Sequence, residues 1–111
     1  MLNVVKKDGR IDKFNIEKIK TSVGNSASDS NIQLTKKDLD IIARETKRTI
    51  VEVRGENGQT SSYEIRGVIV RVLKELGFRQ IAEDFYKGEK IRMREDIIRK
   101  REEEEEFEDK E

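Results

Sequence analysis

The sequence predicts a mainly helical α+β fold, a β-hairpin seated on four helices, and three observations predict it. Two short runs of alternating apolar and polar residues flank Asp8-Gly9, a pair suited to a tight hairpin turn. From Asn15 onward, apolar residues recur at helical spacing in separate stretches, each opened or closed by capping residues. No proline occurs among the 111 residues, so nothing obliges those helices to break early.

Each element follows in order. The hairpin turns at Asp8-Gly9, and Asn15 caps a first helix whose apolar face is Ile16, Ile19 and Val23. Ser, Asn and Asp in residues 24–30 compete for helical hydrogen bonds, so that segment is expected to end the helix. Thr35 caps the second helix, with Asp38 as a weaker capping-box partner. Leu39, Ile42, Ala43, Thr46, Ile50 and Val53 keep its spacing, and Gly55-Glu56-Asn57-Gly58 closes it. Residues 59–62 read either as a short strand or as the approach to a third helix. Ser61-Ser62-Tyr63-Glu64 has the form of a capping box, with Glu64 reaching back to Ser61. Ile65, Val68, Ile69, Val72, Leu73 and Leu76 then give the cleanest stripe, ended by Gly77. A fourth helix carries Ile81, Ala82 and Phe85 and continues past Gly88. The expected division is a folded domain over residues 1–88 and a charged helical extension over 89–111. In the latter, residues 90–101 are basic and 102–106 are five glutamates.

Composition excludes more than it assigns. The chain has neither cysteine nor histidine, which removes disulfides, thiolate zinc sites, thiol nucleophiles and the usual general base near neutral pH. Twenty-four cations balance 24 anions, so no overall field draws the protein onto nucleic acid or an anionic membrane. The glutamates beside the basic segment argue further against nucleic acid. No signal-peptide run and no membrane-length apolar stretch occur, and the expected setting is the cytoplasm. Phosphate-cradling glycine loops of the Walker or dinucleotide type are absent, and no carboxylate sits in an apolar context. Catalysis is not expected.

Anion binding has better support. Lysines cluster around the hairpin, Lys18 follows on the first helix, and the third helix opens at Ser62 with Arg66 one turn on. A helix amino end offers unpaired N–H donors and partial positive charge, and each charge-assisted contact contributes about 1.5–3 kcal/mol when shielded. Val4, Phe14 and Ile19 could wall a base. The plainer reading is an exposed hairpin tip and a helix cap that needs no ligand. Composition and spacing alone favour it.

The string Val-Val-Lys-Lys-Asp-Gly-Arg-Ile-Asp-Lys-Phe-Asn-Ile-Glu-Lys-Ile, however, resembles the opening of the ATP-cone domain. That domain is the regulatory module of many ribonucleotide reductases and of the repressor of their genes. Ser62-Tyr63-Glu64-Ile65-Arg66-Gly67-Val68 is similar to the family's third-helix opening, and residues 77–85 more loosely match its later Gly and Ala-x-x-Tyr positions. The resemblance covers residues 2 to about 90. It implies a four-helix bundle capped by a three-stranded sheet, with ATP or dATP, accompanied or not by Mg2+, under the hairpin.

Residue by residue, the resemblance places Val4, Lys6 and Lys7 on the nucleotide-contacting strand and turn, and Asp12 where an acid reads the adenine amino group. Lys18 and Ile19 match positions near ribose and base, Ser62 and Arg66 the phosphate side, and Lys90 a late basic contact. Lys7 stands for the commoner arginine and lacks its fork. Arg66 stands where some members have histidine, and Asp12 is a methylene shorter than the usual glutamate. With no catalytic barrel and no Cys-x-x-Cys ribbon in these residues, the chain looks like the sensor module alone. The expected function is a non-catalytic ATP or dATP sensor whose occupancy controls oligomerisation or a partner of reductase type or another. The alternative is a helical interaction adaptor that keeps the fold without the ligand, motivated by the charged extension.

Overall fold

A computed structural model describes residues 1–109, with the side chains of 89–93, 96 and 103–109 outside the description. The elements are β1 (Asn3–Val5), β2 (Ile11–Lys13), α1 (Ile16–Asp29), α2 (Lys36–Arg54), β3 (Gln59–Ser61), α3 (Ser62–Glu75) and α4 (Arg79–Asp109). This is the mainly helical α+β architecture expected: four helices and a three-stranded sheet in the order β2-β1-β3. Among the described residues, no helix is long and apolar enough to cross a membrane.

The hairpin turn is one residue wider than the Asp8-Gly9 pair suggests. Lys6 N–H donates to the Arg10 carbonyl at 2.8 Å and Gly9 N–H to the Lys6 carbonyl at 3.0 Å, leaving a three-residue loop. Only Gly9 takes positive φ (87°), as a three-residue hairpin requires. The Asp8 carboxylate accepts from Arg10 N–H (3.1 Å) and Arg10 Nε (2.6 Å), which straps the tip. β2 runs antiparallel to β1, with Val4 opposite Asp12. On the other side β3 runs parallel, with Val4 opposite Thr60. Residues 59–62 therefore contain a strand, and Ser61 is both its last residue and the cap of α3.

α1 begins as expected, with Asn15 Oδ1 accepting from Glu17 N–H at 2.9 Å. It ends within residues 24–30, as expected, but only at their far end, Asp29, because Val23 and Ala27 carry the buried stripe on for another turn. A Cβ added at Gly24 would meet the Leu39 side chain of α2 at 3.8 Å, an ordinary van der Waals contact. Asn31, at φ 58°, ends the helix, with Ile32 N–H bonded to the Ala27 carbonyl and Asn31 N–H to Ser28. α2 opens on a complete Thr35–Asp38 capping box and ends at Gly55. Thr46 is fully buried and donates to the Ile42 carbonyl at 2.8 Å, whereas Val53 is 69% exposed and leaves the apolar face. α3 ends at Gly77 with the same bonding as α1, Phe78 N–H to Leu73 and Gly77 N–H to Lys74.

The helices close a ring in which α1 packs on α2 and α4, and α3 packs on α2 and α4. Ile19, Val23, Ala27, Ile42, Ala43, Ile69, Val72, Leu73, Ile81, Ala82 and Phe85 form the core inside it. α4 leaves the ring as one helix that crosses Gly88 without a break.

Candidate functional site

Two helices present matching stripes to one cleft. On α1 and its cap these are Asn15, Lys18, Ile19 and Ser22; on α3 they are Ser62, Ile65, Arg66 and Ile69. Both follow the i, i+3, i+4, i+7 spacing of a single helical face. Val4 from β1, Lys6 just after it, Lys13 from the end of β2, and Phe14 complete the lining from the hairpin side, and Phe85 of α4 closes its floor. The hairpin and the amino end of α3, far apart in sequence, therefore line one cavity of about 180 Å³.

Its chemistry is divided. Val4, Ile19, Ile69 and Phe85 are buried and give an apolar floor, while Lys6, Lys13, Lys18 and Arg66 supply four cations at the rim. Among the described residues no carboxylate lines it. Asp12 stands just outside and takes Lys18 Nζ at 3.5 Å. The Lys13 backbone N–H at 2.9 Å, then the Lys18 charge, hold the Asp12 carboxyl below the usual aspartate range. Arg66 is engaged within the protein, although its Nη1 is buried and makes no hydrogen bond. A second hollow shares Ser22 and Phe85 but runs between α1 and α4 past Asp29 and Asp84, and those carboxylates make it a poor seat for phosphate.

The amino end of α3 is fixed from outside the cleft. Ser61 Oγ accepts from Glu64 N–H at 3.1 Å. Glu64 does not complete a capping box by reaching back to Ser61. Its carboxylate is drawn to Arg54 Nη2 at 2.6 Å, Arg54 Nε at 3.0 Å and Thr60 Oγ1 at 2.7 Å. With Glu64 turned away toward the end of α2, Ser62 and Arg66 are the polar groups that this end of α3 presents to the cleft.

Of the residues singled out from the sequence, Val4, Lys6, Lys18, Ile19, Ser62 and Arg66 line this cavity. Lys7 does not; it lies over the Tyr63 ring, 5.9 Å from the centroid, at the hairpin tip. Asp12 stands just outside it, and the Lys90 side chain lies outside the described residues. Lys13, Asn15, Ser22 and Ile65 join the lining without having been singled out. Extending the helical face of Lys18 and Ile19 by one turn each way finds Asn15 and Ser22, and the same step from Ser62 finds Ile65.

No curated protein gives a significant match to this sequence. A family model described as the ATP cone domain matches residues 2–92, which include every described residue lining the cleft. The chain belongs to the ATP-cone family, whose members are regulatory, non-catalytic modules that generally bind ATP or dATP.

Proposed function

We propose that this chain binds a purine nucleoside triphosphate, ATP or dATP, in the hairpin cleft, and that occupancy controls its self-association or its hold on a partner protein. The observation that carries the reading is the meeting of Lys6, Lys13, Lys18 and Arg66, from three separate parts of the chain, above one apolar floor. Like charges so gathered repel one another, and a triphosphate relieves that repulsion. In this reading the phosphates lie among the four cations and the first N–H groups of α3, with Ser62 donating its hydroxyl. The base lies against Val4, Phe14 and Ile19, with Asp12 accepting from the adenine amino group.

The cleft volume of about 180 Å³ is smaller than the roughly 300–1,000 Å³ of a typical ligand pocket. A whole nucleotide therefore requires the hairpin to swing outward, or part of the ligand to project over the rim. That coupling gives a regulatory readout, because a ligand shifts an arrangement only through unequal affinity for its two states. Among the described residues no group of three carboxylates could hold a metal ion. Mg2+ would arrive coordinated by the triphosphate and water.

Calorimetric titration with ATP and dATP, in magnesium buffer, tests the proposal on the wild type and on Lys18→Ala. Saturable binding that weakens in the variant supports it. Absence of saturable binding by either nucleotide at low millimolar concentration overturns it.

A further inference from the structure

α4 carries a second feature that the nucleotide reading does not use. Among the described residues of α4, the buried ones, Ile81, Ala82 and Phe85, all lie in its first two turns. Past Gly88, each described side chain is exposed, including the adjacent Ile97 (50%) and Ile98 (54%). Two neighbouring isoleucines on a helix that nothing covers are out of place on a surface this charged.

The charges one turn either side of Ile98 are sign-inverted about it, so that positions equidistant from Ile98 carry opposite charges. Arg94 and Glu95 lie one turn before it and Arg101 and Glu102 one turn after, all on the face that Ile98 occupies. A two-fold axis passing beside Ile98 sets two such helices antiparallel, with Ile98 against its own copy. The same axis puts Arg94 opposite Glu102 and Glu95 opposite Arg101, each pair made twice. A parallel arrangement does the opposite, with Arg94 facing Arg94 and Glu102 facing Glu102. Residues 94 and 102 are eight positions apart, too far to serve one another within a single helix. Gly88 is ten residues from the axis, about 15 Å along the helix, so the two bundles project at opposite ends.

We propose that this face of α4, centred on Ile98, is the docking surface for a second copy of the same chain, forming an antiparallel two-helix contact. Desolvation of the Ile97 and Ile98 side chains supplies the attraction, and the Arg–Glu pairs select orientation and partner. The contact is short and heavily charged, so it is weak and salt-sensitive. It rests on α4 alone and stands whether or not nucleotide binds.

Sedimentation velocity of the full chain, from micromolar to millimolar concentration at low and high salt, is the test. A dimer that dissociates as salt rises is expected, and Ile98→Asp should raise its dissociation constant by about tenfold or more. Arg94→Glu should weaken it likewise, and the double variant Arg94→Glu with Glu102→Arg should restore it, since the swapped charges face each other again. The chain has no cysteine, so Ile98→Cys provides an independent measurement. Under mild oxidation it should give a disulfide-linked dimer, whereas Arg79→Cys should not. A chain that stays monomeric at millimolar concentration and low salt overturns the proposal. So does a dimer indifferent to Ile98→Asp, or a charge swap that fails to rescue a well-folded, helical variant.

Discussion

Arg54 and Glu64 form a two-pronged ion pair, Nη2 to Oε2 at 2.6 Å and Nε to Oε1 at 3.0 Å, joining the last residue of α2 to the first turn of α3. Thr60 Oγ1 donates to the same carboxylate at 2.7 Å, so β3 is tied into the joint as well. The hydrogen bonds from Arg54, then that from Thr60, hold the Glu64 carboxyl below its ordinary value of 4.5. A carboxyl depressed in the folded state stabilises the fold fully above its unfolded pKa, and that contribution is lost as pH falls through the folded value. Glu64→Gln should therefore lower stability at neutral pH by about 1 kcal/mol, a modest figure because Arg54 is half exposed. The difference between variant and wild type should shrink as pH drops below 4.5. Urea melts at neutral and acidic pH check both statements. A gap that widens in acid would contradict the ion-pair account.

Gly58 governs the same joint through space. Its N–H donates to the Gly55 carbonyl at 3.2 Å and its carbonyl accepts from Asn3 N–H at 3.1 Å, which starts the pairing of β3 with β1. A Cβ at this position would fall on the Arg54 carbonyl, well inside van der Waals contact. Gly58→Ala should displace β3 or unwind the end of α2, with a loss of about 2–3 kcal/mol or more. Because β3 leads directly into α3, the variant should also bind ATP less tightly than its residual folded fraction explains. Thermal melts beside titrations of the folded fraction separate the two losses.

Phe85 serves both core and cleft. It is 7% exposed, packs in the helical core, and also faces the cavity floor. Phe85→Ala should cost about 3–5 kcal/mol by opening that floor, whereas Phe85→Leu should cost distinctly less. Thermal denaturation followed by circular dichroism measures both. Equal losses would mean that the ring contributes shape rather than volume.

What the sequence disclosed and what it withheld divide along a physical line. Asn15, Thr35, Ser61 and Gly77 act over one turn of chain, and each terminus they suggest is found. Long-range choices were not readable. Whether residues 59–62 pair as a strand depends on Val4 meeting Thr60 in parallel register, and nothing near Thr60 announces that partner. The length of α1 turned on whether Ala27 would be covered, which outweighs the local preference of Ser and Asn for turns. Val53 shows the converse, since spacing assigns a face but not whether a neighbour reaches it. Glu64 left its expected cap because Arg54, ten residues earlier, offered a charged fork. Within the cleft, residues on the faces of α1 and α3 follow from periodicity. Which lysines of the hairpin turn inward depends on the sheet's register and on the wider turn.

That last distinction yields a test of the cleft itself. Lys7 belongs to the three-residue loop and lies over Tyr63, where a cation is held by the ring's negative face. Lys13 ends β2 and lines the cavity with Lys6, Lys18 and Arg66. If triphosphate enters this arrangement of the hairpin, Lys13→Ala should weaken ATP binding by about tenfold, the effect of one charge-assisted contact. Lys7→Ala should weaken it by no more than about threefold, through lost long-range attraction alone. Raising salt should narrow the Lys7 effect further and leave more of the Lys13 effect, since Lys13 would touch the phosphates directly and Lys7 would act only at a distance. Calorimetry on both variants at two salt concentrations gives the comparison. A larger effect at Lys7 than at Lys13 would mean that the loop abandons Tyr63 and folds over the ligand, so that the occupied hairpin differs from the one described above.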